Sequence, residues 1–216
     1  MAAFLPDDLE IAPNYTVGGW KALKLENLND PTSNDWKTAF KIFETRIRCR
    51  YLDPVDKLID FEKNCLRKTF GFTILSIDCL VIETLQGFRE GKTNHRGISE
   101  RLFTKFLTDW DVFNECVPSE VETAACAKKI YQGYRCELHH SGATHDAFRV
   151  LARGRLFDFK SDREVSVNRT LLHKHLKNEF DTYLTELRGQ QAADLRRMFR
   201  QKMDFICGHA RAHPNV

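Results

Sequence analysis

The stretch Phe70-Gly-Phe-Thr-Ile-Leu-Ser-Ile-Asp-Cys-Leu-Val-Ile-Glu-Thr-Leu-Gln-Gly-Phe88 decides the fold class. Ile74, Ile77, Val81, Leu85 and Phe88 recur at helical spacing, and Leu75, Leu80 and Ile82 make the other faces apolar too. A helix apolar on every face belongs at the centre of a domain. Asp78 and Glu83 lie inside this run, and a buried carboxylate needs a partner. Glu83 therefore reads either as the core anchor of an arginine or as a site residue.

The flanking segments also read as helices. Trp36, Phe40, Phe43 and Ile47 mark a helix from a cap at Asp35 to about Tyr51, and Asp53-Pro54 opens the next, with Leu58, Ile59 and Leu66 as its apolar positions. Residues 1–33, broken by Pro6, Pro13, Gly18-Gly19 and Asn29-Asp-Pro-Thr-Ser-Asn34, read as an irregular arm. After the central run, residues 89–97 hold Gly91, Asn94, His95 and Arg96 in a polar loop that either approaches a ligand or merely connects. Ser99 reads as the cap of a short helix through Leu102, Phe103 and Phe106. Ser119 with Glu122 reads as the start of another, carrying Ala124, Ala127, Tyr131, Tyr134 and Leu138 and ending near Ser141-Gly142.

The pattern then changes. Phe148-Arg-Val-Leu-Ala152 and Arg155-Leu-Phe-Asp-Phe159 flank Arg153-Gly154, and Glu164-Val-Ser-Val167 follows a Ser161-Asp162 turn. This predicts two or three short strands, a small β-hairpin at about 147–167. Asn168 caps a helix through Leu172, Leu176, Phe180 and Leu187, and Gln190 to Cys207 keeps helical spacing. The expected organisation is an arm over 1–33, a helical domain over 34–188 and a basic helical segment over 189–216.

Composition agrees with a compact helical protein: 42% of residues are hydrophobic, with 16 Phe against 6 Pro and 11 Gly. No unbroken apolar run of 18 residues occurs, so no membrane span is expected. Met1-Ala-Ala-Phe-Leu-Pro-Asp-Asp8 lacks the features of a signal peptide. Seven scattered cysteines read as buried free thiols in a reducing compartment, which points to the cytoplasm. Basic residues concentrate late: residues 146–216 hold 14 Lys and Arg against 9 Asp and Glu. Such a half suits an anionic partner or a solvated face.

The chemistry-bearing stretch is Tyr131-Gln-Gly-Tyr-Arg-Cys-Glu-Leu-His-His-Ser-Gly142. Arg135 offers a planar fork of donors suited to phosphate, and His139 and His140 are groups that exchange protons near neutrality. An arginine and histidines at a helix end also serve simply to satisfy orphan carbonyls. In a regular helix Arg135 shares a face with His139, four residues on, and not with His140. A distorted last turn or a second copy of the chain would be needed to bring in His140. Cys207, His209 and His213 have non-standard spacing for zinc, and no metal is expected. Cys136 beside these histidines has no separate oxyanion site and reads as structural. His173 and His175 face different ways.

The Tyr134-Arg-Cys-Glu-Leu-His-His140 segment resembles the Arg-x4–6-His motif of the HEPN superfamily. Arg50-Tyr-Leu-Asp-Pro-Val55, Ile77-Asp-Cys-Leu-Val-Ile-Glu-Thr84, and Val165-Ser-Val-Asn-Arg-Thr170 leading to Tyr183-Leu-Thr-Glu-Leu187 are also similar to HEPN-like proteins. The resemblance covers roughly residues 36–187. It implies a mainly α antiparallel bundle, homodimeric, with two motifs facing each other. It implies a metal- and cofactor-independent endoribonuclease of antiviral defence or toxin type, with an RNA substrate and an antitoxin or defence-system protein as partner. The RNA 2′-hydroxyl attacks the adjacent phosphate, with Arg135 and His140 as the working pair. His139, Glu83 and Glu137 are the supporting residues. The alternatives are a catalytically silent HEPN-like module binding RNA, nucleotide or protein, and a protein-only assembly factor. Arg149, Arg153, Arg155, Arg163 and Arg169, with Arg196, Arg197 and Arg200, are expected to hold RNA through phosphates.

Overall fold

The computed structural model describes residues 5–144, 147–160 and 164–209. The chain is mainly α, as expected. Its helices are α1 (Val17–Lys21), α2 (Asn34–Ile47), α3 (Asp53–Glu62), α4 (Gly71–Arg89), α5 (Ser99–Thr108), α6 (Asp111–Asn114), α7 (Thr123–Ile130), α8 (Glu137–Ser141), α9 (Arg169–Arg188) and α10 (Ala193–Ile206). Wider π-helical turns link α2 to α3 over Arg48–Leu52 and α7 to α8 over Tyr131–Cys136. The strands are β1 (Glu10–Ala12), β2 (Tyr15–Thr16), β3 (Phe148–Leu151), β4 (Phe157–Phe159) and β5 (Val165–Asn168).

The chain forms two compact units, and their division differs from the expected one. One falls within Met1–Arg50, Gly87–Asn94 and Phe180–Val216; the other comprises Tyr51–Gln86 and His95–Glu179. The predicted arm is thus no appendage. In the first unit β1 and β2 pair antiparallel, and the Thr16 hydroxyl caps α1 by accepting from the Gly19 amide at 3.2 Å. Ala12, Val17, Trp20 and Leu25 are fully buried. The Trp20 indole donates to Asp204 Oδ1 at 2.8 Å and meets the Phe199 ring edge-on. Its proline and glycine punctuation marks turns between residues that the core uses. Trp36 and Phe40 of α2 also pack on Phe199, and Phe43 packs on Phe88, Phe180 and Phe199. Ser33, not Asp35, caps α2, with the Trp36 amide donating to its hydroxyl at 3.3 Å.

Arg196 overturns an expectation. It is fully buried in the first unit and donates to the carbonyls of Leu28 (2.6 Å), Leu187 (2.8 Å), Gly189 (2.6 Å) and Gln190 (3.2 Å). The turn between α9 and α10 leaves carbonyls that need donors, and a guanidinium has five. Arg196 therefore packs the core and is not placed to hold RNA. Arg196→Met is expected to lower unfolding free energy by about 3 kcal/mol or more, since each buried carbonyl left unpaired costs about 1–3 kcal/mol. A urea midpoint unchanged from wild type would refute this account.

The second unit is organised around the first sixteen residues of α4. Ile74, Leu75, Cys79, Val81, Ile82 and Leu85 are buried there. By length and composition alone α4 is apolar enough to cross a membrane, but most of it is buried inside the fold. Both inner carboxylates have partners, as their burial requires. Asp78 Oδ1 lies 2.8 Å from Nδ1 of buried His173, and Glu83 is described below. His175 is half-buried, so the two histidines of α9 do occupy different surroundings.

The strands expected here form a three-stranded sheet of order β3-β5-β4, in which β3 and β4, on either side of Arg153-Gly154, are not paired as the hairpin would have them. β5 runs parallel to β3 and antiparallel to β4, with Val167 between Val150 and Phe157. All four residues of β5 are buried, which suits the central strand, whereas β3 alternates half-buried and exposed. The Ser161-Asp162 turn lies outside the described residues. Two contacts fix the sheet to the motif segment. The Tyr134 hydroxyl sits 3.0 and 2.9 Å from the carbonyl oxygens of Arg149 and Val165. Gly133 lies against the Phe148 ring so closely that a Cβ would come within 2.3 Å of it. Asn168 caps α9 as expected, accepting from the amides of Thr170 and Leu171 at 3.1 and 3.2 Å. The predicted cap at Ser119 is not formed, and α7 begins at Thr123.

Candidate active site

The motif enters the site through a change of helical pitch. α7 widens at Tyr131–Cys136 and tightens again into α8, which Gly142 ends in the left-handed conformation at φ 63°. Glycine takes that conformation without steric cost. Despite the distortion, the pairing that regular spacing predicts survives. A cleft of about 270 Å³ is lined by Tyr51, Leu80, Glu83, Thr84, His95, Arg135 and His139. His140 is exposed and is not among them. Within one chain, therefore, it is His139 and not His140 that shares the cleft with Arg135. Glu137 and Cys136 are half-buried and do not line the cleft.

Glu83 organises the cleft. Oε2 accepts from Arg135 Nε (3.2 Å), Arg135 Nη2 (3.0 Å) and the Ser99 hydroxyl (2.5 Å), while Oε1 faces His95 Nδ1 at 2.9 Å. The Ser99 hydroxyl is committed here and does not cap α5. Burial works to raise the Glu83 carboxyl, but the bonds from His95 and Ser99 and the charge of Arg135 outweigh it and bring it down to about 2. Glu83 is therefore an anion at any ordinary pH. Glu83 thus anchors Arg135, one of the two expectations for it, and it also lines the cleft.

Arg135 keeps two faces of its guanidinium in use. Nε and Nη2 are held by Glu83, and Cζ stands 5.7 Å over the Tyr131 ring. Nη1 has no hydrogen-bond partner among the described residues, which leaves a donor for an anionic ligand. Burial first, and then the Arg135 charge, pull the His139 pKa below its ordinary value. That favours the neutral, proton-accepting form. His95 is the residue that the sequence reading left undecided, in a loop equally readable as a connection. No periodicity links it to Glu83, twelve positions earlier in the chain.

The expected RNA-holding arginines divide into three kinds. Arg149, Arg153 and Arg155 are exposed in the second unit, and Arg153 lines another groove, of about 650 Å³, with Lys63, Lys68, Leu66 and Leu151. Arg169 is buried and ion-paired with buried Glu62, so it is unsuited to a phosphate contact. In the first unit Arg197 is exposed and pairs with Asp194 at 2.8 Å, while Arg200 is half-buried and donates to the Leu25 carbonyl at 2.7 Å. Arg163 lies outside the described residues, as does His213. No group of three His, Cys, Asp or Glu able to hold a metal occurs among the described residues. Of the seven free cysteines only Cys79, Cys126 and Cys207 are buried, fewer than expected, and Cys49 is exposed. Comparisons of the chain with protein-family models, curated proteins and solved structures gave no match.

Proposed function

We propose that this chain is a metal-independent endoribonuclease of the HEPN type that its motif resembles, cleaving RNA in antiviral defence or as a toxin. The observation that carries the reading is the Arg135 guanidinium, fixed by Glu83, beside His139 in one polar cleft. Arg135 holds the scissile phosphate and stabilises charge as the phosphorane forms. His139 accepts the proton of the attacking 2′-hydroxyl, the role that the resemblance assigns to His140. A cytoplasmic address and a homodimer, the latter measurable by light scattering, belong to the same proposal, as does a restraining antitoxin or defence-system protein.

Cleavage of end-labelled RNA in EDTA tests it. His139→Ala is expected to lose about 10²- to 10⁴-fold, the usual contribution of a positioned acid or base, and His140→Ala to stay close to wild type. The sign of the pH dependence follows from the lowered His139 pKa. Deprotonated His139 is the active form, so the rate falls as pH drops through a value below the ordinary histidine range. An acidic limb at or above that range, or an inert His140→Ala beside an active His139→Ala, would overturn the assignment. A second reading draws on the same pair: Glu83 already neutralises Arg135, as in a silent module that binds RNA, nucleotide or protein. Retention of RNA by wild type without any cleavage would decide for it.

A further inference from the structure

We propose that the connection from α3 to α4, together with the end of β3, is a peripheral membrane contact: Leu66 inserts at the surface of an anionic bilayer, and the arginines around it meet the lipid phosphates. The inference goes beyond the ribonuclease reading and uses no residue of the Arg135 cleft.

The surface lies wholly in the second unit. α3 ends at Glu62, so Leu66, expected as an apolar position of that helix, falls beyond it and is 100% exposed. Hydrogen bonds hold it there. The Lys68 ammonium donates to the carbonyls of Glu62 and Cys65, and the Glu62 carboxylate accepts from the amides of Thr69 and Phe70. The connection is tied down on both sides of Leu66, and its apolar tip does not fold back onto the core. Phe61 and Phe72, near either end of the connection, are exposed as well. A Cβ on Gly71 would lie 3.2 Å from the Val150 side chain, so β3 runs close by. Leu66, Lys68, Leu151 and Arg153 accordingly share the groove of about 650 Å³.

Charge selects the occupant. Residues 61–73 contain one carboxylate, Glu62, and it is buried against Arg169. Asp60, just before them, pairs with Lys63 at 2.7 Å. Arg67 and Arg153 are exposed, and their guanidinium groups have no hydrogen bond or ion pair among the described residues. Exposed apolar side chains set among unopposed cations suit the boundary between headgroups and acyl chains of an anionic leaflet. RNA would satisfy the arginines but leave Leu66 and Leu151 in water, since an aliphatic side chain offers no ring for a base to stack on. A protein partner would need a pocket shaped for Leu66, whereas hydrocarbon takes a projecting side chain without one. The contact is peripheral, because α4, into which the connection leads, stays mostly buried in the fold.

Sedimentation of the full chain with vesicles tests this. Wild type is expected to pellet with vesicles of phosphatidylcholine and phosphatidylserine in equal amounts, to stay in solution with phosphatidylcholine alone, and to be released as salt rises. Leu66→Ser is expected to weaken binding about tenfold or more, the transfer value of a buried leucine, and Arg67→Gln and Arg153→Gln about fivefold each. Leu66 is fully exposed, so its variants are expected to melt as wild type does. Leu66→Trp reads insertion directly. Trp20, Trp36 and Trp110 are buried, so vesicles with brominated acyl chains should quench the variant and leave wild-type fluorescence unchanged. Pelleting without quenching would mean adsorption by charge alone and overturn the proposal. So would a chain that pellets with neither vesicle. In that event, loss of RNA binding in the Arg67→Gln, Arg153→Gln double variant assigns the surface to RNA, and a dimer that Leu66→Ser turns into monomers assigns it to a second copy. RNA cleavage in EDTA, assayed on the same preparations, reports on Arg135 and His139 separately.

Discussion

Arg135→Ala is expected to cut RNA cleavage about a thousandfold. Removing one donor aimed at developing charge costs about 10²–10³ in rate, and an arginine that bridges a phosphoryl group is worth about 10³–10⁵. Arg135→Lys keeps a cation but loses the fork that engages Glu83 through both Nε and Nη2, so it is expected to recover only part of the loss. The alanine change also leaves the Glu83 carboxylate with His95 and Ser99 alone, and some loss of stability follows. Glu83→Gln in the same chain removes the unpaired charge. The double variant should melt closer to wild type and remain inactive, which separates the chemical role from the structural one. Arg135→Ala within tenfold of wild type in kcat/KM, with the fold intact, would remove Arg135 from the mechanism.

Arg169→Met is expected to lower unfolding free energy by about 3–5 kcal/mol, because it leaves the Glu62 carboxylate buried without its cation. Glu62 is also an acceptor for the backbone amides of Thr69 and Phe70, so it closes the connection from α3 to α4 as well as the pair. Glu62→Gln with Arg169→Met removes both charges and keeps an acceptor for those amides. Replacing both partners of a buried pair is often nearly neutral, so the double variant should return to within about 1.5 kcal/mol of wild type. Urea unfolding at constant m-value measures both. A single variant within about 1 kcal/mol of wild type would mean that the pair is solvated in solution and would return Arg169 to the surface arginines.

Local pattern was sufficient for the elements whose cause is local. The apolar run over 70–88 predicts α4 because its period and length leave no other structure that buries it. The Asn168 cap follows from a side chain reaching amides two and three residues on. Partners for Asp78 and Glu83 were required by burial alone. The equivalence of Arg135 with His139, four residues on, was readable as a helical spacing, and it survived the change of pitch.

What the sequence could not carry was the choice among partners distant in the chain. Arg169, Arg196 and Arg155 are the same residue type in similarly polar surroundings of sequence. Two are buried and one is exposed, because only the first two meet an ion-pair partner or orphan carbonyls in the fold. The N-terminal segment reads as loop because its punctuation is local, while Trp20 finds Asp204 at a separation of 184 residues. The order β3-β5-β4 depends on which strand is covered on both faces, a property of its neighbours. His95 meets a carboxylate on another element, Glu83 of α4. Helical class and the Arg135/His139 spacing came from periodicity; the set Glu83, His95, Arg135 and His139 exists only once α4, α5 and the α7–α8 turns have packed.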